Sequence, residues 1–266
     1  MGHEVVAETL RERRRSLVWW ALGLAAFVAL NVAFYPSVRD DAALSDYSKD
    51  LPEAMRALFA GGETNLVSAA GYLNSQVFAL MAPVILLIFA IGLGAASIAG
   101  EEERGTLDLL LAHPLRRIDF VLQRALSMLV LVVALSGVLL ATVAVGSALV
   151  DLDIGLSRLA AAAGSVGLLA LVFGSVALAV GAWWPGRARA IAIATGLAIA
   201  SWMLDGLGQA VDALDPWRPL SPYYQALGTD PLTDGAPWGG WALLIGLAAL
   251  FTAAAAFGLQ RRDIRQ

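Results

Sequence analysis

The chain has 266 residues, of which 59% are hydrophobic and only 15% charged, against roughly 25% charged in an ordinary soluble domain. A formal net charge of −4 leaves no basic stripe for nucleic acid, and the absence of cysteine excludes disulfides and thiolate metal sites. The apolar residues fall into long blocks almost free of charge, the pattern of a chain whose solvent is a bilayer rather than one buried core.

Taken in order, the first block, Ser16–Val38, exceeds the apolar run of a secretory signal, about 7–15 residues, and no small-x-small cleavage site follows it. It reads as a retained first span at about 16–37, led by a short basic amphipathic helix carrying Arg11, Arg13, Arg14 and Arg15. In the next connection, Asp50 can cap a helix, Pro52 suits its first turn and Gly61 its stop. Leu51, Met55, Leu58 and Phe59 then share one face, which predicts a short amphipathic helix on the membrane surface. Asn74, Ser75 and Gln76 read as the polar start of a second span at about 76–99. Within it Gly92, Ala96 and Gly100 recur every four residues, a small-residue face suited to helix packing.

Further spans follow at about 122–150, 159–183, 189–207 and 238–259, giving six. Gly167, Gly174 and Gly181 recur every seven residues in the fourth. The fifth is the weakest, because its charge-free window of 15 residues reaches span length only by including Asp205, which reads as a solvated acid near one end. Between the last two spans, residues 206–237 are rich in Pro, Gly, Trp and Tyr, as expected at the headgroup level. The fold class expected is an all-α integral membrane protein, one domain over residues 1–266.

Orientation follows from Arg and Lys. With both termini in the cytoplasm, thirteen basic residues fall inside and five outside. Dropping the fifth span would put Arg261, Arg262 and Arg265 outside, against that bias.

The segment after the second span carries most chemistry. Gly100 can end that span, and Glu101, Glu102 and Glu103 then sit where a new helix begins, a position that favours carboxylates by about 0.3–1 kcal/mol each. Leu107, Leu110 and Leu111 make an apolar face, Arg104 and Asp108 can pair on the other side, and Pro114 stops the helix. Arg116 and Arg117 are placed to anchor at lipid phosphates. These residues alone predict a short amphipathic helix along the cytoplasmic surface, which a plain connector would also satisfy.

The run Ala99-Gly-Glu-Glu-Glu-Arg-Gly-Thr-Leu-Asp-Leu-Leu-Leu-Ala-His-Pro-Leu-Arg-Arg117 resembles the motif after the second span of type-2 ABC transporter permeases, the membrane subunits of bacterial ABC exporters. The six-span layout, the basic N-terminal helix and the short basic tail are similar to that family as well. The resemblance implies a permease forming half of a translocation pathway. It also implies coupling to a separate cytoplasmic ATPase, two permeases with two ATPases, through residues 101–114. The positions it marks are Glu101, Glu102, Glu103, Gly105, Thr106, Leu107 and Pro114, with Leu110 on the docking face. It further implies a bacterial or archaeal plasma membrane, a second permease copy, and ATP with Mg in the partner chain.

The residues agree that energy must come from elsewhere. A P-loop needs a lysine, and the only lysine, Lys49, precedes Asp50 in the first outer connection. A zinc protease lacks ligands, since the histidines are His3 and His113 alone. A secondary, ion-coupled transporter would want several intramembrane acids. A non-transporting membrane anchor of a signalling complex is the other alternative.

Overall fold

The computed structural model of the chain describes residues 4–39, 55, 68–103, 105 and 116–261. Every regular element among them is helical. In chain order these are α1 (Glu4–Val38), α2 (Ala69–Leu73), a π-helical turn (Asn74–Phe78), α3 (Met81–Ser97) and α4 (Ala99–Glu103). There follow α5 (Arg117–Leu149), α6 (Leu156–Trp183), α7 (Arg187–Ala210), a 3₁₀ turn (Asp215–Leu220), α8 (Pro222–Leu227) and α9 (Trp238–Arg261). Six stretches are long and apolar enough to cross a membrane: Thr9–Val38, Ala69–Ser97, Arg117–Leu149, Leu156–Trp183, Arg187–Ala210 and Trp238–Arg261. The fold is therefore an all-α membrane domain of six spans. Of the expected surface helix around residues 50–61, only Met55, helical and exposed, falls among the described residues.

Six crossings bring the chain back to the face on which it begins. That N-terminal face carries Thr9, Glu101, Arg124, Arg187 and Arg261; the opposite face carries Asp205, Arg218, Tyr223 and Trp238. α6 is the axle. It is buried along almost its whole length, and α3, α5, α7 and α9 pack around it. Its Gly-Ala-Ser-rich sequence explains this, because a bilayer gives helices no hydrophobic reason to associate and close backbone approach supplies the attraction instead. A β-carbon on Gly174 would lie 2.7 Å from the Met128 sulfur and 3.1 Å from the Ala90 carbonyl, and one on Gly181 would lie 3.2 Å from Ala99 Cβ. One on Gly167 would collide with the Ser136 hydroxyl. The seven-residue glycine series is thus a row of contacts with α3, α4 and α5.

On the second span the close approach falls at Gly94, where a β-carbon would run into the Gly174 carbonyl. Gly92 instead borders open space, with nothing within 4 Å of where its β-carbon would be, while Ala96 and Gly100 are buried. The four-residue spacing does not make one stripe because the helix breaks at Ile98 (φ −123°, ψ −61°), so Gly100 belongs to the separate helix α4. The second span also starts earlier than its polar residues imply. Asn74 and Ser75 are buried within it, in a turn where Ala79 N donates to Asn74 O at 2.7 Å, one residue wider than the α-helical step.

Candidate functional site

The three glutamates after the second span point in different directions. α4 starts at Ala99 with Glu101 and Glu102 in its first turn. Glu101 is buried, and its Oε1 accepts from Arg124 Nη2 at 3.3 Å. Arg124, on α5 and also buried, donates from Nη1 to Thr9 Oγ1 on α1 at 2.9 Å, with its guanidinium 5.2 Å from the centre of the Phe120 ring. Glu103 reaches the other way: its Oε1 accepts from the backbone N–H of Arg187 at 2.7 Å. That N–H opens α7, and the preceding Gly186 (φ +110°) has no side chain to cap it, so the carboxylate takes the capping role and meets the positive end of the helix dipole. Glu102 is half-buried between them.

α4 is consequently tied to α1 and α5 through Glu101 and to α7 through Glu103. Gly105 ends it in the left-handed region (φ +68°), its N–H donating to Glu102 O at 2.9 Å, the usual glycine stop. Thr106, Leu107, Leu110 and Pro114 lie outside the described residues, as do Arg104 and Asp108. Arg117 reaches the end of the last span. Its Nη1 donates to Leu259 O at 3.0 Å, closing the last turn of α9, because the orphan carbonyls of a helix C-terminus compete well for a cation.

The opposite face has its own polar junction. Asp205 is buried, and its Oδ1 accepts from Arg218 Nη2 at 3.1 Å and Nε at 3.3 Å. The aliphatic stem of Arg218 lies on Gly208, where any β-carbon would clash with it, and its guanidinium sits 4.9 Å from the Tyr224 ring centre. Asp205 is therefore half of a buried ion pair rather than a solvated acid. Ser221 caps α8 by accepting from Tyr223 N at 3.1 Å and Tyr224 N at 3.3 Å, and it donates to Ser201 O at 2.7 Å. Tyr223, buried, donates from its hydroxyl to Ala79 O at 2.8 Å.

That last bond has a cause in the sequence. The intrahelical donor for Ala79 O would be the N–H of residue 83, which is proline and has none. The tyrosine of a distant segment supplies the missing donor. Burial, and secondarily the Asp205 carboxylate, push the Tyr223 phenol well above its ordinary value, so it stays protonated and can donate. Tyr223→Phe should lower the unfolding free energy of the detergent-solubilised protein by about 1–3 kcal/mol, the cost of a buried polar group left unpaired. In a Pro83→Ala background, where the helix regains its own donor, the same change should cost clearly less. Simple additivity of the two changes in a thermal-unfolding double-mutant cycle would refute this pairing.

Thr9, Arg124, Tyr223, Ser201, Ser221 and Arg218 carry these junctions, and apart from Arg124 none stands out by residue pattern. Arg124 offered the one usable signal, an arginine seven positions inside a helix that begins at Arg117, since an ionised group at such depth calls for a partner.

A family model described as an ABC-2 family transporter protein matches residues 4–264 of the chain. No curated protein shows significant similarity to it.

Proposed function

The chain belongs to the ABC-2 transporter family, whose members are permease subunits of ABC transporters, and from that membership we propose that it forms half of an ATP-driven export pathway coupled to a cytoplasmic ATPase through residues 101–114. The N-terminal face is the cytoplasmic one in this reading, at the plasma membrane of a bacterium or archaeon. ATP and Mg bind the partner chain, and two permease copies join two ATPases.

The observation that supports this best is the anchoring of α4. A push on residues 101–114 would reach α1 through Thr9, α5 through Arg124 and α7 through the Arg187 N–H, at contacts of 2.7–3.3 Å. Three spans would thus tilt together, while α6, packed on all sides, stays as the pivot. A connector without a docking role has no need of links to three separate spans. Alternating access then follows if nucleotide-driven closure of the ATPases moves the two copies of this segment.

The test is assembly and transport. Purified from cells expressing its partner, the complex should contain two permeases and two ATPases, and ATP should drive substrate across reconstituted vesicles. A single chain transporting unaided would overturn the reading. Orientation has a separate test, made simple because the chain has no native cysteine. Ser45→Cys and Thr229→Cys should react with an impermeant thiol reagent added to intact cells, and Leu110→Cys should not. External labelling at position 110 would reverse the topology.

A further inference from the structure

We propose that a cavity on the face opposite the N-terminus holds a small monovalent cation, an alkali ion or ammonium, among the oxygen atoms of Asn74, Asp205, Gln209, Tyr223 and Asp230. The cavity measures about 60 Å3. It lies between the π-helical turn that heads the second span, the last turns of α7, α8 and the turn after it. A water needs roughly 10–15 Å3 of such space, and a drug-sized ligand about 300–1,000 Å3. The cavity therefore takes a small ion or a few waters, and no lipid tail or large organic molecule fits.

The lining is polar where polarity is costly. Asn74 is only 6% exposed, and its side-chain amide borders the cavity without a hydrogen bond among the described residues. A buried amide in that state calls for a partner inside the cavity. Asp205 spends Oδ1 on Arg218 and leaves Oδ2 without a hydrogen bond among the described residues. The Tyr223 hydroxyl donates to Ala79 O, so it offers lone pairs to any further partner. Charge then selects the occupant. Arg218 balances Asp205, whereas Asp230 accepts from Leu232 N and Thr233 Oγ1 and has no basic partner among the described residues. One uncompensated carboxylate on the wall excludes an anion and matches a single positive charge, while divalent sites draw on more carboxylates. Neutral water would satisfy the amide and leave that charge in a poorly solvating recess. None of residues 101–114 enters this inference and its test needs no ATPase, so it and the family reading can fail separately.

The test is thermal unfolding of the full chain in detergent. Sodium, potassium, ammonium or choline chloride replaces N-methylglucamine chloride at constant ionic strength. The midpoint should rise saturably with at least one of the three small cations, as binding to the native state requires. Choline, too large for the cavity, should add nothing, and the small cation with the lowest half-saturating concentration names the occupant. Asp230→Asn keeps an acceptor for Leu232 N and removes the charge, so it should raise that concentration by about tenfold or more. Asn74→Ala removes the amide and should raise it about tenfold. Asp234→Asn, at an exposed position nearby that does not line the cavity, should respond like the unaltered protein. If one cavity variant fails to fold, the other decides. No small-cation effect, or one that choline equals, would leave ordered water alone in the cavity and overturn the proposal. A full response in Asp230→Asn or Asn74→Ala overturns it too, as does equal weakening in Asp234→Asn, the mark of surface screening.

Discussion

Arg124→Ala should produce the largest loss of any single substitution on the N-terminal face. The guanidinium sits between Glu101 Oε1 at 3.3 Å and Thr9 Oγ1 at 2.9 Å, with both charged side chains about nine-tenths shielded. Removing one partner of such a pair typically costs about 3–5 kcal/mol, because the remaining charge stays in a medium that solvates it poorly. The double variant E101A/R124A should recover a large part of that loss, since it leaves neither charge behind. Thermal unfolding of the four proteins in detergent measures the cycle. The same variants separate support from coupling. In vesicles with the ATPase, E101A/R124A should fold and hydrolyse ATP, yet transport poorly, because α4 has lost its link to α1 and α5. Normal transport by the folded double variant would show that this junction stabilises the domain and transmits nothing.

Leu107→Ala combined with Leu110→Ala should uncouple transport from hydrolysis without disturbing insertion. Each leucine buried in a partner groove is worth about 1.5–3 kcal/mol, so losing both side chains should weaken ATPase docking by at least about a hundredfold. Transport should fall steeply, and substrate should no longer change the ATPase rate. Reversing Glu101, Glu102 and Glu103 to Lys should have a related effect by another route. It would break the Arg124 pair and strip the cap from α7, so thermal stability should fall with coupling, whereas the leucine variant should keep its stability. Trp217→Ala, an exposed position on the opposite face, serves as the control. Normal transport by the leucine variant, with the complex intact, would reduce residues 101–114 to a surface connector.

Much of this protein can be read from its chain because the governing physics is one-dimensional. Crossing a bilayer requires about 20 apolar residues in succession, and backbone groups in lipid must pair within their own helix. Hydropathy along the sequence therefore yields six spans, and even the weak fifth, carried through Asp205, is a continuous helix of 24 residues. The seven-residue glycine series of the fourth span is similarly legible, because regular spacing on an unbroken helix means one face.

What only the tertiary structure decided are the partners. Arg124 and Thr9 are 115 residues apart in the chain, and Tyr223 and Ala79 are 144 apart. No local pattern announces such pairs, since a buried polar group selects whichever complementary atom the packing brings near. The four-residue spacing of Gly92, Ala96 and Gly100 also runs across the break at Ile98, where the helical period on which spacing depends is interrupted, while the close approach to α6 is made by Gly94. Pro83 shows both levels at once. The sequence declares that the carbonyl of Ala79 will lack its helical donor, and only the folded chain brings the hydroxyl of Tyr223 to supply one.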